Sequence, residues 1–123
     1  MTNKEIFDLY EGLCEIGMDK DLKFEIRISY IFAKAKHILE PYYKAILETR
    51  TKLLDKYGKA ADNGDWIVPK ENVEDFTKEW NTFMGIENVI ILEKIKIEDL
   101  KEEKLGIELM EKLLSLIDRE SVV

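Results

Sequence analysis

The side chains with chemical potential in this chain are few and scattered. There is one histidine, His37, and one cysteine, Cys14. His37 is the one side chain whose ordinary titration falls near neutrality. A triad around it would need a nucleophile and an orienting carboxylate within reach. The candidate hydroxyls, Ser29, Thr49 and Ser115, sit in ordinary helical contexts, without a strained Gly-x-Ser-x-Gly turn. Cys14 falls on the apolar side of a helix near its C-terminal end and beside Glu15, the wrong place for an activated thiol. A packed, inert cysteine is the expectation. One cysteine and one histidine also leave the usual zinc and iron ligand sets unavailable, and an internal disulfide is impossible.

Carboxylates are more plentiful. Asp62-Asn63-Gly64-Asp65 resembles a calcium loop only in fragments: Gly64 follows Asp62 too closely, and neither Glu71 nor Glu74 falls at the closing position. A hairpin turn accounts for the same residues, because Asn-Gly tolerates positive φ. Glu98, Asp99, Glu102 and Glu103 form the densest acidic group. Such a group can hold a hard cation or flank a glycosidic bond. Here it is interleaved with Lys96, Lys101 and Lys104, the pattern of a solvated face with local ion pairs. These four acids are therefore a possible interaction surface, and no catalytic, metal or cofactor site is assigned. There is no phosphate-binding glycine loop and no basic-aromatic pattern for single-stranded nucleic acid.

The charge distribution supports the same emphasis. The net charge is −7, and residues 61–123 hold 8 Lys/Arg against 16 Asp/Glu, whereas residues 1–60 hold 11 against 10. An acidic back half disfavours a polyphosphate partner. It is either an unremarkable solvated surface or an acidic face offered to a basic partner.

The elements that carry these residues are mostly helical. Thr2-Asn3-Lys4-Glu5 is a capping box, followed by Ile6, Leu9, Tyr10, Leu13 and Ile16 on one face, with Gly17 as a stop. This predicts a helix over residues 3–16. Residues 22–28 alternate apolar and charged side chains and read as a short strand, although they also suit the opening of the next helix. Residues 29–57 form a long amphipathic stretch with Ile31, Ala35, Ile38, Tyr42, Ala45, Thr49 and Leu53 on its face. Pro41 lies within it, and the period does not slip there, so one kinked helix is expected. Tyr42, Tyr43 and Tyr57 read as packing groups.

Beyond Gly58, the Asn63-Gly64 turn leads to a strand at Trp66-Ile67-Val68 that Pro69 ends. A short helix from Asn72 sets Val73, Phe76, Trp80 and Phe83 on one side and stops at Gly85. Val89-Ile90-Ile91-Leu92 suits a buried strand, extending as far as residue 97. A last helix places Ile107, Met110, Leu113, Leu114 and Ile117 on one face. With 46% apolar and 37% charged residues, the whole predicts a single domain over residues 1–123. Its class is α+β, mainly helical: a long kinked central helix with a small β-hairpin or sheet and two or three shorter helices. The sequence has no apolar run of the ~18 residues a membrane span requires and no leader-like start, so a soluble intracellular protein is expected.

Leu39-Glu40-Pro41, Thr49-Arg50, Leu53-Leu54-Asp55-Lys56-Tyr57-Gly58, a Gly turn, Trp66-Ile67-Val68 and Phe76-Thr77-Lys78-Glu79-Trp80 occur in order, ahead of an isoleucine-rich strand and a Leu-rich helix. This order resembles a family of small uncharacterised proteins encoded by phages and prophages of low-GC bacteria. The resemblance implies a non-enzymatic phage accessory protein acting by protein–protein interaction, in an infected bacterial cytoplasm or on a virion. It supplies no site residues. Two roles are expected from different classes. One is virion structure or assembly, through a phage structural subunit or a homo-oligomer. The other is an acidic inhibitor of a bacterial defence nuclease, of anti-CRISPR or anti-restriction type. Neither involves a membrane, a cofactor or direct nucleic-acid binding.

Overall fold

The computed structural model describes residues 1–100 and 105–118. Helix α1 spans Asn3–Met18 and α2 spans Ile26–Tyr57. Strands β1 (Lys59–Ala60) and β2 (Trp66–Ile67) form a hairpin, and a 3-10 turn leads into α3 (Val73–Met84). Strand β3 (Ile95–Lys96) runs directly into a 3-10 turn at Ile97–Leu100. Then come α4 (Ile107–Leu113), a further 3-10 turn, and β4 (Ile117–Asp118). The class is mainly helical α+β, with one long helix and three shorter α-helices among the described residues.

The capping box at the start of α1 is present in full. The Glu5 N–H donates to Thr2 Oγ1 at 3.1 Å, and the Thr2 N–H donates to Glu5 Oε1 at 3.0 Å. Those bonds satisfy two of the helix's orphan donors. Ile6, Leu9 and Leu13 are buried as the period predicts, but α1 passes through Gly17 and ends with Asp19 as its cap. Helix α1 packs most extensively on α2, then on α4.

Helix α2 begins three residues before the predicted stretch, at Ile26, so residues 22–28 are not a strand. Residues 22–25 form an irregular link, and Arg27 and Ile28 lie in the first helical turn. Side-chain alternation alone could not supply the pairing partner a strand needs. The helix runs unbroken through Pro41. Its buried line is Ile28, Ile31, Phe32, Ala35, Leu39 and Ile46. From residue 38 onward this departs by one residue from the predicted face, and Ile38 and Tyr42 are exposed. The cause is aromatic: Tyr43 stacks on Tyr10 of α1 at 4.3 Å and lies 5.3 Å from Phe7, which turns the Leu39–Tyr43–Ile46 line inward.

The hairpin pairs Lys59 with Ile67 and Ala60 with Trp66, antiparallel. Its turn differs from a two-residue Asn-Gly loop. Only Gly64 takes positive φ, at +86°, while Asn63 keeps negative φ and its Oδ1 accepts the Asp65 N–H. The Gly64 N–H bonds to Ala61 O at 3.0 Å, the signature of a longer loop closed by a left-handed glycine.

The second sheet is a parallel pair, Ile95 with Ile117 and Lys96 with Asp118. The expected buried strand at Val89-Ile90-Ile91-Leu92 is not there. Pairing starts only at Ile95, and Val89 and Ile91 are 95% and 88% exposed. A strand buried on both faces requires a layer on each side, and the described molecule supplies only one. The last helix is shorter than its apolar period suggests. Leu113 at its end, Leu116 in the 3-10 continuation and Ile117 at the start of β4 are buried, while Ile107 and Leu114 stay exposed. One cluster joins the buried residues of α1, α2, α4, β3 and β4, with Trp80, Phe83 and Met84 of α3 packed against it. No helix among the described residues is long and apolar enough to cross a membrane.

Candidate interaction surface

The predicted acidic cluster does not assemble as one face. Asp99 is engaged: its Oδ2 accepts the Lys96 backbone N–H at 3.1 Å and meets Arg27 Nη2 at 3.2 Å. It ties the 3-10 turn after β3 to the first turn of α2. Glu98 is exposed on that turn and makes no ion pair among the described residues. Glu102 and Glu103 lie outside the described residues.

His37 is exposed on α2, one turn before Pro41. Cys14 is half-buried beside the Tyr10–Tyr43 stack. Burial holds both tyrosine hydroxyls above their ordinary titration range; nearby Cys14 and Glu40 add to the effect at Tyr10, and Glu11 and Cys14 at Tyr43. These groups pack α1 onto α2 and do not converge on a cleft.

The surface that stands out is one the sequence placed in the core. Residues 86–94 leave α3 at Gly85 and cross the molecule to β3. Their start is fastened to the beginning of α1. The Asn3 N–H donates to Ile86 O at 3.0 Å, and Asn3 Nδ2 donates to Phe83 O at 2.8 Å. Asn88 Nδ2 donates to Asn3 Oδ1 at 2.8 Å, and the Asn88 N–H bonds to Met1 O at 2.8 Å. Further along, Glu93 receives Lys34 Nζ of α2 at 2.8 Å, which lowers the Glu93 titration range and raises that of Lys34.

Between these anchors, no backbone N–H or C=O of residues 89–93 is hydrogen-bonded among the described residues. Side chains alternate along this stretch: Val89, Ile91 and Glu93 face outward, while Ile90 and Leu92 turn toward the core. Behind it lies an open cavity of about 580 Å³, lined by Ile90, Leu92 and Lys94 on one side and Leu114, Ser115 and Glu5 on the other. Glu5 is held below its ordinary titration range mainly by the Thr2 backbone N–H, with a smaller contribution from Ser115.

A second apolar feature joins this one. Tyr42, Ala45, Thr49 and Leu53, the face of α2 expected to be buried, instead line shallow depressions of about 240 and 400 Å³ against α3. Phe83 and Ile86 border both depressions, and Ile86 lies three residues before Val89. The missed signal was one of arithmetic between elements. Among the described residues no element covers the outward side of the 89–92 run, and α3 covers the α2 stripe only in part. Compared with protein-family models, characterised proteins and solved structures, the chain matches none of them.

Proposed function

We propose that this protein acts by protein–protein contact, as a phage-type accessory protein in virion structure or assembly. The supporting observation is the pair of exposed aliphatics Val89 and Ile91, with Ile86, three residues before Val89, at the rim of the α2–α3 depression. Single exposed aliphatics are ordinary on a small protein, but two almost fully exposed ones on the same side of one segment favour a binding face. The phage-like order of motifs supplies the setting, an infected bacterium or the particle it produces. Mapping the protein in purified phage particles tests this reading. Incorporation that is lost when Val89 and Ile91 are made polar supports it; a protein absent from particles and assembly intermediates overturns it.

A second reading, inhibition of a bacterial defence nuclease, is favoured by one observation. Glu71, Glu74 and Asp75, around the start of α3, are exposed and make no ion pair among the described residues. An unneutralised acidic face suits a cleft built for nucleic acid, with fast and salt-sensitive association. Protection of phage in defended hosts, lost on charge reversal of these three or of Glu98, Glu102 and Glu103, distinguishes this role from assembly.

A further inference from the structure

We propose that a second copy of this chain docks on residues 89–93 by adding its own residues 89–93 as an antiparallel strand. The proposal deepens the contact reading above by naming a partner. The segment combines three properties: an alternating arrangement of side chains, unused backbone donors and acceptors, and the two most exposed aliphatic residues among those described, Val89 and Ile91. Such an edge is complemented by an extended backbone bearing apolar side chains. This chain itself carries that element, and a two-fold axis presents it to itself in an isologous contact.

Physical chemistry selects the register. A two-fold axis normal to the paired strands sets residues of the same face opposite each other, so the axis runs between two copies of one central residue. Centred on Ile90, the pairing sets Glu87 against Glu93 twice, and like charges directly opposite are unfavourable. Centred on Leu92, it sets Ile91 against Glu93, so neither exposed aliphatic gains an exposed apolar partner. Centred on Ile91, it sets Ile91 against Ile91, Ile90 against Leu92 and Val89 against Glu93, with no like charges opposed. The Ile91-centred register is the one proposed. The two bodies each carry −7, so screening their repulsion strengthens association as salt rises.

Sedimentation of the purified protein over a concentration series, together with amide hydrogen exchange, tests this. The expected result is a monomer–dimer equilibrium that tightens with salt, with exchange at residues 89–93 slowing as concentration rises. Ile91→Lys, which sets two ammonium groups against each other across the axis, should weaken the dimer at least tenfold without changing the helical signal, since the side chain is already in water; Val89→Lys, which faces Glu93 in this register, should weaken it far less. Each lysine lowers the net negative charge, so general repulsion acts in the opposite direction and the loss is local. A protein that stays monomeric at all concentrations overturns the proposal, as does a dimer that survives Ile91→Lys or leaves residues 89–93 unprotected. Neither result touches the contact reading, which fails only when the protein is missing from particles and their intermediates.

Discussion

Gly12 of α1 lies so close beneath Lys112 of α4 that a Cβ at position 12 would sit 2.9 Å from the Lys112 Cβ. Leu113 Cδ2 would be 3.5 Å away. The absent side chain lets the two helices approach, and the Lys112–Glu15 ion pair closes over the crossing. This contact sets where Leu113 and Leu116 enter the core, and so where β4 meets β3.

Gly12→Ala should therefore behave against helix propensity. Alanine in a helix interior normally gains about 0.5–1 kcal/mol over glycine. Overpacking a tight crossing costs about 1–3 kcal/mol. The expected net effect is a destabilisation of about 1 kcal/mol in denaturant unfolding. Gly17, on the same helix, has nothing within 4 Å of the equivalent position. Gly17→Ala should be neutral or stabilising by up to about 1 kcal/mol. Two alanines of opposite sign on one helix would separate packing from propensity.

Asn3 is the one buried polar residue among those described, and both ends of its amide are used. Asn3→Ala would leave Phe83 O without its Asn3 donor and remove the acceptor that Asn88 Nδ2 uses. Both partners keep other bonds, since Phe83 O still accepts the Ile86 N–H at 3.2 Å and Asn88 Nδ2 still reaches Met1 O and Ile86 O at 3.3 Å, so the cost is that of two net hydrogen bonds, about 1–3 kcal/mol together. The expected outcome is a loss of that size in unfolding free energy. Exchange at residues 86–88 should accelerate first, because this amide pins the start of the exposed segment.

The sequence made the local elements legible and their mutual coverage illegible. The capping box, the Ile6–Leu9–Leu13 face, the end of α2 at Tyr57 and the stop at Gly85 follow from short-range chemistry, and each is found. The α2 stripe went wrong beyond Ala35, because a helix with apolar residues on two sides buries whichever side finds a partner. Stacking of Tyr43 on Tyr10, a contact between helices, made that choice. The 89–92 run was misplaced for the same reason: an apolar stretch reports capacity for burial, and only a second layer fulfils it. The acidic group failed differently. Proximity in sequence joined Glu98 to Asp99, but Arg27 and the Lys96 N–H had already engaged Asp99.

Stability should fall on acidification, with a definite sign. Glu5 is held below its ordinary value of 4.5, chiefly by the Thr2 N–H. Glu93 and Glu79 are lowered by hydrogen bonds from Lys34 and Lys56. A carboxylate whose folded titration point is depressed contributes stability that is present above its unfolded value and lost as pH falls toward the folded one. Unfolding measured across the range below 4.5 should show that loss. Glu5→Gln should be less stable at neutral pH by about 0.5–1 kcal/mol, through the weakened cap, and should show a shallower acid slope. An unchanged slope would remove Glu5 from the acid response.

Pro41 offers the sharpest test of how α2 is shaped. It lies on the exposed side of an unbroken helix, between the Glu40–Lys44 ion pair and the buried Leu39, and leaves the His37 carbonyl without its usual donor. If the proline is merely tolerated, Pro41→Ala restores a hydrogen bond and relieves crowding. Proline's penalty in a helix interior is about 3 kcal/mol, offset by the lost stiffness of the unfolded chain, worth about 0.4–1 kcal/mol. Some relaxation at an exposed site reduces the remainder, so the expected gain is roughly 1–2 kcal/mol in unfolding free energy. A loss instead would mean that the proline bends α2 so that Tyr43 reaches Tyr10. In that case the near-ultraviolet signal of the stacked tyrosines should weaken together with stability, tying the backbone at residue 41 to the packing of α1.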